Sequence, residues 1–330
     1  MKDGVIVKVR GLKGRYELTS KYIQAVDGCS FEIREGEILG IAGESGCGKS
    51  TLAKLLLGSS MDPSLKHLEG TIRVYGYSIG DISEDKLRKE VRGKKVGYVP
   101  QGSMNALNPV RRIKKIAKDT YSEKFGENIS EKDIKREVVP HLKSLGLDGE
   151  RVLELYPFEL SGGMQQRVVI GLSTLWNPGF LIVDEPTSAL DVTTQKKLAR
   201  TLLDLREREI VESMIYITHD IPTLRQICDR IAIMYGGKIV EIGNMEDVLF
   251  KPMHPYTKAL IDSILTTEED IGAGSKRGIS GQPPDLTNPP SGCRFSPRCK
   301  KSGQNCEKDE PVLHNVGGRK VACHRVVENE

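Results

Sequence analysis

Three apolar segments mark the chain, at residues 38–42 (ILGIA), 180–183 (FLIV) and 214–218 (MIYIT). Runs with so little polar interruption are typical of strands that are buried on both faces of a parallel sheet. Helical spacing dominates from about residue 103 to residue 176, where Val138 and Leu142 belong to one apolar stripe. Strands that alternate with helices predict an open α/β sheet with its ligand at the carboxyl ends of the strands.

Shorter patterns complete the expected architecture. Strand patterns occur at residues 4–10, 31–34, 70–80 and 95–100. Residues 231–242 predict a hairpin around a two-glycine turn. Within the helical segment, Ser130 is the expected N-cap of a helix that Gly146 closes. Residues 265–290 are rich in Gly, Pro, Thr and acidic residues, which predicts a linker.

The first apolar segment leads directly into the motif GESGCGKST at residues 43–51. Its glycines let successive backbone N–H groups converge on phosphate oxygens, and the N-terminus of the following helix favours an anion. In this arrangement Lys49 reaches the β- and γ-phosphates of a nucleotide, and Ser50 binds Mg²⁺. The alternative is a glycine-rich turn without a ligand, but the flanking strand and helix favour a phosphate loop.

The second apolar segment ends in Asp184-Glu185. P-loop nucleotidases place a magnesium-binding carboxylate at the end of a buried strand, which predicts that role for Asp184. Glu185 can turn at the end of the strand toward an attacking water and act as a general base. The alternative for an Asp-Glu pair is a solvated strand end, and the apolar segment before it argues against that.

Composition limits the classes of partner. The chain has 330 residues, enough for one large core with an appendage or for two domains. Its net charge of +4 comes from 49 basic and 45 acidic residues without a basic stripe, so no nucleic-acid partner is predicted. No apolar run approaches the roughly 18 residues that cross a bilayer, and residues 1–3 do not open a signal peptide. We therefore expect a cytosolic chain, unless a partner holds it at a membrane.

Residues 160–165 (LSGGMQ) resemble the LSGGQ signature of the ATP-binding-cassette (ABC) family. Ser161 can cap a helix that continues through residues 168–170, so that the helix N-terminus faces an anion. The other family motifs follow in the family order: GESGCGKST, Gln101 after YVP, FLIVDE, the loop 188–191 and His219 after an apolar strand. The resemblance covers residues 5–245, and it outweighs the alternative of a helix cap without a ligand.

This resemblance implies a P-loop NTPase fold with an antiparallel β subdomain, a helical subdomain inserted at about residues 103–175, and ATP and Mg²⁺ as ligands. The magnesium ligands that it implies are Ser50, Gln101 and Asp184, and the catalytic residues are Lys49, Glu185 and His219. The other nucleotide contacts are Gly43, Ser45, Gly46, Cys47, Gly48, Thr51, Ser161, Gly162, Gly163, Gln165 and Asp191. In this family the signature of a second chain covers the γ-phosphate, so one chain alone would be a poor ATPase.

An aromatic residue near the N-terminus could stack on the purine base. The candidates are Tyr16 and Tyr22, and we prefer Tyr16. Packing of either ring at the edge of a sheet is the alternative.

Four of the seven cysteines cluster as C-x5-C-x6-C-x16-C, at Cys293, Cys299, Cys306 and Cys323. Zinc ribbons prefer pairs about two to four residues apart, although His314 and His324 could compete as ligands. The irregular spacing suits a [4Fe-4S] cluster better, and eight Lys or Arg against three Asp or Glu in residues 291–325 would offset its charge. The alternative is free or disulfide-bonded cysteines, disulfides being less expected in a reducing compartment.

Two segments resemble the tail of the peptide-type (oligopeptide, dipeptide, nickel) importer ATPases: residues 254–260 (HPYTKAL) and 289–299 (PPSGCRFSPRC). In members of that subfamily this tail carries a [4Fe-4S] cluster on four cysteines, and both a structural clamp and a redox sensor are open as its role. The resemblance implies an ABC ATPase domain at residues 1–246 and an importer-type C-terminal region at residues 247–330.

The sequence therefore predicts the ATP-hydrolysing subunit of a peptide-type importer, peripheral on the cytoplasmic face of the membrane. The resemblance implies two permease subunits, an extracytoplasmic substrate-binding protein and a second ATPase subunit. That second ATPase is usually a related but different chain in this subfamily, which favours a heterodimer over a homodimer. Oligosaccharides and metal chelates are alternative cargoes. A non-transport ABC ATPase of a soluble complex is the alternative function, and the segment at residues 289–299 argues against it.

Overall fold

Twelve strands lie in the part of the chain that the computed structural model describes, which is residues 4–58, 62–103, 106–187, 191–269 and 279–327. In chain order they are β1 (Val5–Glu17), β2 (Tyr22–Arg34), β3 (Ile38–Ala42), β4 (Leu65–Val74), β5 (Tyr77–Ser78), β6 (Val96–Val99), β7 (Phe180–Asp184), β8 (Ser213–Ile217), β9 (Arg230–Tyr235), β10 (Lys238–Asn244), β11 (His314–Val316) and β12 (Arg319–Val321). The three apolar segments correspond to β3, β7 and β8, whose residues are all buried. The buried strands predicted there are confirmed.

Helices separate most of these strands. In the described residues they are α1 (Lys49–Leu56), α2 (Glu84–Lys86), α3 (Ile113–Phe125), α4 (Glu131–Ser144), α5 (Gly149–Glu154), α6 (Gly162–Thr174), α7 (Val192–Glu207), α8 (Ile221–Ile227), α9 (Met245–Phe250), α10 (Pro255–Glu269), α11 (Gln304–Lys308) and α12 (His324–Val327), with a π turn at Leu87–Val91 and 3-10 turns at Pro157–Glu159 and Ser296–Arg298. Ser130 caps α4 as predicted, since its Oγ accepts from the Asp133 N–H at 3.1 Å. None of the helices described is both long and apolar enough to cross a membrane.

The chain divides into two compact units, and the first comprises Met1–Ile33, Glu37–Gly80 and Thr218–Glu330. It contains a four-stranded sheet in the order β2-β1-β4-β5, in which β4 runs antiparallel to β1 and β5. It also contains strands in the order β11-β12-β10-β9-β3, where β3 and β9 are parallel and the other neighbours are antiparallel. The C-terminal strands are therefore joined through the β9–β10 hairpin to β3, the strand that precedes the predicted phosphate loop.

The turn of that hairpin needs its glycines. Gly236 and Gly237 both have positive φ, at 55° and 83°. Two successive left-handed residues are typical of the tight turns that match the twist of a hairpin, and glycine adopts them without steric cost. The predicted hairpin is confirmed.

The second unit comprises Arg34–Gly36 and Asp81–Ile217. Its strands lie in the order β6-β7-β8 and are all parallel, with Val99 opposite Val183 and Asp184 opposite Ile217. The helices α3 to α6 occur between β6 and β7 in the chain. Because parallel strands end at one edge of a sheet, the residues after β6 and after β7 meet at that edge.

The sequence predicts a linker at residues 265–290. Its predicted start is wrong, because α10 runs from Pro255 to Glu269. Thr and acidic residues are compatible with a helix, and Pro255 stands at the first helical position, where proline is tolerated. After it, the first glycine of the sequence is Gly272. Residues 270–278 lie outside the described part of the chain, and residues 279–290 form neither helix nor strand.

Candidate functional site

In the first unit, Lys49 is folded back over the loop that precedes it. It opens α1 directly after the loop and its residue surface is only 4% exposed. Its Nζ donates to the carbonyl oxygens of Gly43 at 2.9 Å and Glu44 at 3.1 Å. Ser45 and Gly46 are exposed at the tip of the loop, whereas Cys47 is buried. The predicted strand, loop and helix are present, with the ammonium group held at the N-terminus of the helix.

Two glycines fix the ends of this loop for a steric reason. A Cβ on Gly43 would lie 2.1 Å from the Met234 carbonyl oxygen, and a Cβ on Gly48 would lie 2.1 Å from that of Ala25. Gly46 has a positive φ of 76°, but a Cβ there would meet nothing within 4 Å. Gly43 and Gly48 are therefore required by close packing of backbones, and Gly46 by backbone conformation alone.

Tyr16 lies beside the first helix. The Thr51 hydroxyl donates to the Tyr16 Oη at 3.4 Å, and the Lys54 Nζ lies 5.8 Å from the ring centroid. Tyr22 is 55% exposed, and the guanidinium of Arg15 lies 4.8 Å from the centre of its ring. Of the two predicted candidates, Tyr16 contacts the last residue of the loop motif.

His219 lies on a backbone that is fixed on both sides. The buried Thr218 donates its N–H to the Ile41 carbonyl of β3 at 3.2 Å. Asp220 caps α8, where its side chain accepts from the Thr223 N–H. The imidazole of His219 is exposed between these anchors, at the end of β3 from which the phosphate loop departs.

In the second unit, the acidic pair lies at the end of β7. Asp184 is 1% exposed, and Glu185 has a left-handed φ of 43°. The Glu185 N–H donates to the Ile217 carbonyl at 2.8 Å, which holds this turn against β8. Such backbone costs roughly 1–3 kcal/mol and persists where the surroundings impose it, often at functional sites. The turn of Glu185 out of the strand is thus built into the backbone.

The side chain of Gln101 contacts Glu185. Its Nε2 donates to Glu185 Oε2 at 3.3 Å. The parallel pairing of β6 and β7 places the two residues at one sheet edge, although they are 84 positions apart. The amide of Gln101 and the carboxylate of Glu185 are therefore in contact at this edge of the second unit.

The signature segment caps a helix. Ser161 is the N-cap of α6, and its Oγ accepts from the Met164 N–H at 3.4 Å. Gly162 and Gly163 are the first two residues of α6. Gln165 donates its side-chain amide to the carbonyls of Pro157 at 2.6 Å and Leu160 at 3.3 Å, so this nitrogen holds the preceding turn. A hydroxyl and two glycines therefore stand at the start of a 13-residue helix.

Asp191 caps the next helix. Its carboxylate accepts from the Thr194 N–H at 3.0 Å and from the Thr194 hydroxyl at 2.6 Å, and these bonds hold the Asp191 pKa below its usual value. The Thr194 methyl would lie 3.3 Å from a Cβ on Gly163, so the cap packs close to the signature. The rest of the predicted loop, residues 188–190, lies outside the described part of the chain.

The four clustered cysteines line one cavity in the first unit, together with Lys301 and Arg325. All seven cysteines of the chain are free thiols, which excludes the disulfide alternative in this structure. Burial, with smaller contributions from the other three thiols, raises the pKa of Cys293 to about 11. His324 lines the same cavity and His314 does not. Among the described residues, no three His, Cys, Asp or Glu side chains are arranged to hold a single metal ion.

Comparison with known proteins matches both parts of the chain. The ABC transporter family model matches residues 26–188, and the model of the oligopeptide/dipeptide transporter C-terminal region matches residues 240–306. A dipeptide transport ATP-binding protein, DppD, of Caldanaerobacter subterraneus is 38% identical over 97% of this chain and 97% of its own length. The chain belongs to the ATP-binding proteins of the oligopeptide/dipeptide ABC transporter family.

Further relatives agree with this assignment. The oligopeptide transport ATP-binding protein OppD of Escherichia coli is 34% identical over 98% of this chain and 94% of its own length. A solved structure of a dimeric ATP-binding cassette in a post-hydrolysis state, bound to ADP and Pi, has a TM-score of 0.63 at 30% identity. That alignment covers 72% of this chain and 98% of the other. The ABC ATPase fold predicted from the sequence is confirmed.

Sequence reasoning missed three residues that hold the phosphate loop of this ABC protein. They are Glu44, Tyr256 and Arg298: the Arg298 guanidinium donates to the Glu44 carboxylate, and the Tyr256 hydroxyl accepts from the Glu44 backbone N–H. Tyr256 and Arg298 stand in the two segments that resemble the importer tail, which was the available signal. Neither segment indicates which distant residue it contacts.

The different reasons for the glycines of the loop can be tested by measuring the free energy of unfolding of alanine variants. We expect Gly48→Ala to lower the free energy of unfolding by clearly more than Gly46→Ala, because only the first change forces the Ala25 carbonyl to move. Gly46→Ala should cost roughly 1–2 kcal/mol, the cost of a left-handed residue with a Cβ. Thermal unfolding of both variants measures this, and equal losses would contradict the packing described for Gly48.

Proposed function

We propose that this chain is the ATP-binding and ATP-hydrolysing subunit of an ABC importer, and that it powers the uptake of peptides or a related solute across the cytoplasmic membrane. The observation that carries the proposal is the presence, in one chain, of a phosphate loop with a shielded Lys49 and the C-terminal region of oligopeptide/dipeptide transporters. The relatives named as dipeptide and oligopeptide transport ATP-binding proteins match nearly the whole chain. This favours an importer over a non-transport ABC ATPase.

The site residues take the following roles in this proposal. Lys49 and the loop from Gly43 to Thr51 bind the phosphates of ATP, and Tyr16 stacks on the base. Ser50, Gln101 and Asp184 bind Mg²⁺. Glu185 is the general base for the attacking water, and His219 holds the geometry of attack. The shielding of Lys49, the strained turn at Glu185 and its contact with Gln101 support these roles. Positioning and charge stabilisation then supply most of the rate enhancement.

The signature acts on the nucleotide of a second chain. Ser161, Gly162 and Gly163 stand at the start of a long helix, where a hydroxyl, backbone N–H groups and the helix dipole favour the γ-phosphate. Two chains that close on ATP assemble the complete site. A related cassette is dimeric in its solved structure, which supports the pairing. We propose a paralogous second ATPase as the partner.

The remaining assembly follows from the family. We propose two permease subunits that hold this chain at the cytoplasmic face of the membrane, and an extracytoplasmic substrate-binding protein that delivers the cargo. In this scheme residues 1–246 are the ATPase domain, residues 103–175 its helical subdomain and residues 247–330 the importer-type C-terminal region. The match of residues 240–306 to a transporter C-terminal region supports the last of these.

A [4Fe-4S] cluster on Cys293, Cys299, Cys306 and Cys323 is part of the proposal. The four free thiols line one cavity, and four cysteine thiolates are the usual ligands of such a cluster. Lys301 and Arg325 line the cavity and offset the charge of a thiolate-ligated cluster. The Cys293 N–H donates to the Cys306 carbonyl at 2.8 Å, which ties two of the segments together. When bound, the cluster would crosslink this tail.

The proposal predicts the effect of removing the loop lysine. Lys49→Ala should raise the dissociation constant of ATP roughly thirty-fold, the loss expected when about 2 kcal/mol of charge-assisted hydrogen bonding disappears. Titration of the full chain with a fluorescent ATP analogue measures this. Lys66→Ala is the control, since Lys66 is an exposed lysine of β4 that donates to the Pro63 carbonyl. Equal affinity of the Lys49 variant and wild type would rule out the phosphate-loop assignment.

Removing the proposed base should separate binding from turnover. In the assembled transporter, Glu185→Gln should lower kcat about 100-fold or more and change the ATP dissociation constant less than about two-fold, since a general base contributes about that much to the rate. Glu209→Gln is a matched control in the same unit, because Glu209 is exposed and also has a left-handed φ, at 55°. Turnover near wild type in the Glu185 variant would remove this residue from the mechanism.

The cluster is tested by iron content. After anaerobic purification we expect about four irons per wild-type chain and clearly fewer irons in Cys293→Ser. The Cys293→Ser variant should still bind ATP. Cys228→Ser is the control, since Cys228 is also buried but does not line the cavity. Iron-free wild-type protein, or full iron content in Cys293→Ser, would refute the cluster.

A further inference from the structure

Arg298 of the C-terminal tail forms a salt bridge with Glu44 of the phosphate loop. It ends the Ser296–Arg298 turn, directly before Cys299, and its side chain is 4% exposed. Its Nη1 donates to Glu44 Oε2 at 2.6 Å, and its Nη2 donates to Glu44 Oε1 at 3.0 Å. Two parallel bonds between a guanidinium and a carboxylate fix direction as well as distance. The tail and the second residue of the loop are therefore joined in one defined geometry.

Glu44 is in turn hydrogen-bonded to Lys49. Its carbonyl oxygen accepts from the Lys49 Nζ at 3.1 Å and from the Cys47 N–H at 3.3 Å. Its own N–H donates to the Tyr256 hydroxyl at 2.9 Å. A displacement of the Glu44 side chain therefore also moves the Glu44 carbonyl oxygen, which accepts from the Lys49 Nζ.

Tyr256 is held as firmly as Arg298. Its ring is fully buried, and its N–H donates to Nδ1 of His254 at 3.0 Å. Burial lowers the His254 pKa to about 3, so the imidazole is neutral and its Nδ1 accepts this bond. Phe295, three residues before Arg298, packs with its ring centroid 5.4 Å from that of Tyr256. Tyr256 thus packs against the segment that carries Arg298.

A second arginine of the same segment holds the far side of the loop. Arg294 is buried, and its guanidinium donates to the Gly236 carbonyl and to the Asp27 carboxylate. The next residue of that turn, Gly237, donates its N–H to the Cys47 carbonyl at 2.8 Å. The segment between Cys293 and Cys299 therefore supports the phosphate loop at Glu44 directly and at Cys47 through the hairpin.

We propose that Arg298 is a positioning residue for nucleotide binding and acts through Glu44, so that the four-cysteine tail is a functional part of the phosphate site. This inference rests on the proposed function, in which the loop binds the phosphates of ATP. By linkage, bound nucleotide stabilises the Ser296–Arg298 turn to the same extent that the turn strengthens nucleotide binding. A change that releases this turn lowers ATP affinity without touching a nucleotide contact.

The test is a double-mutant cycle read by nucleotide affinity in the full-length chain. Arg298→Lys keeps the charge but loses the two-pronged contact, and it should raise the dissociation constant of a fluorescent ATP analogue about ten-fold, within the usual range of coupling between sites. Glu44→Gln should have a similar effect. In the Glu44→Gln background, Arg298→Lys should add less than about two-fold, because the group through which it acts is already changed.

Arg319→Lys is the matched control for loss of stability. Arg319 is another buried arginine of the tail, 5% exposed, and it donates to Glu241 Oε1 at 3.2 Å and to the carbonyls of Asp247 and Lys251. The same substitution there should lower the thermal unfolding midpoint at least as much as Arg298→Lys does, with nucleotide affinity within about two-fold of wild type. A merely structural role of Arg298 would make the two variants behave alike.

Each contrary outcome has a separate meaning. Unchanged affinity in Arg298→Lys, effects that multiply in the double variant, or an equal loss of affinity in Arg319→Lys would overturn the positioning role alone. Failure of the wild-type chain to bind the analogue, with Lys49→Ala no different, would overturn the proposed function and this inference with it.

Discussion

A backbone N–H group that a loop offers to a phosphate cannot also bond within the loop, so the shape of such a loop depends largely on its surroundings. In this chain Gly48 packs against the Ala25 carbonyl, the Cys47 carbonyl accepts from Gly237, and the Glu44 N–H donates to Tyr256. These three supports come from β2, the β9–β10 turn and α10. The need to hold one short loop therefore explains why elements so distant in sequence converge around β3.

Features decided by near neighbours could be predicted from the sequence. The apolar segments that became β3, β7 and β8 are visible because burial on both faces leaves few polar residues in a strand. Ser130 and Ser161 were recognisable as N-caps because a cap bonds to a backbone N–H three residues ahead. The family motifs supplied the candidate site residues, whose spacing local physics alone does not set.

Features decided by distant contacts could not be predicted. Arg298 and Glu44 are 254 positions apart, and neither periodicity nor composition indicates that they meet. The left-handed turn at Glu185 depends on the Ile217 carbonyl of β8. The spacing of the cysteines likewise does not show that four thiols line one cavity. The start of the linker was misplaced for the opposite reason, because α10 continues locally through a composition that also suits a loop.

The chemistry of the contact at Glu44 suits a positioning role better than a stabilising one. A shielded ion pair is seldom worth more free energy than an apolar contact of equal volume, because both charges lose water. Apolar surfaces can slide, however, whereas a guanidinium and a carboxylate joined by two bonds have one arrangement. A site that binds phosphate needs its groups held within about half an ångström. At a loop with few side chains that can pack, the ion pair with the tail supplies that accuracy, and it links the segment that carries Cys293 and Cys299 to the carbonyl that accepts from Lys49.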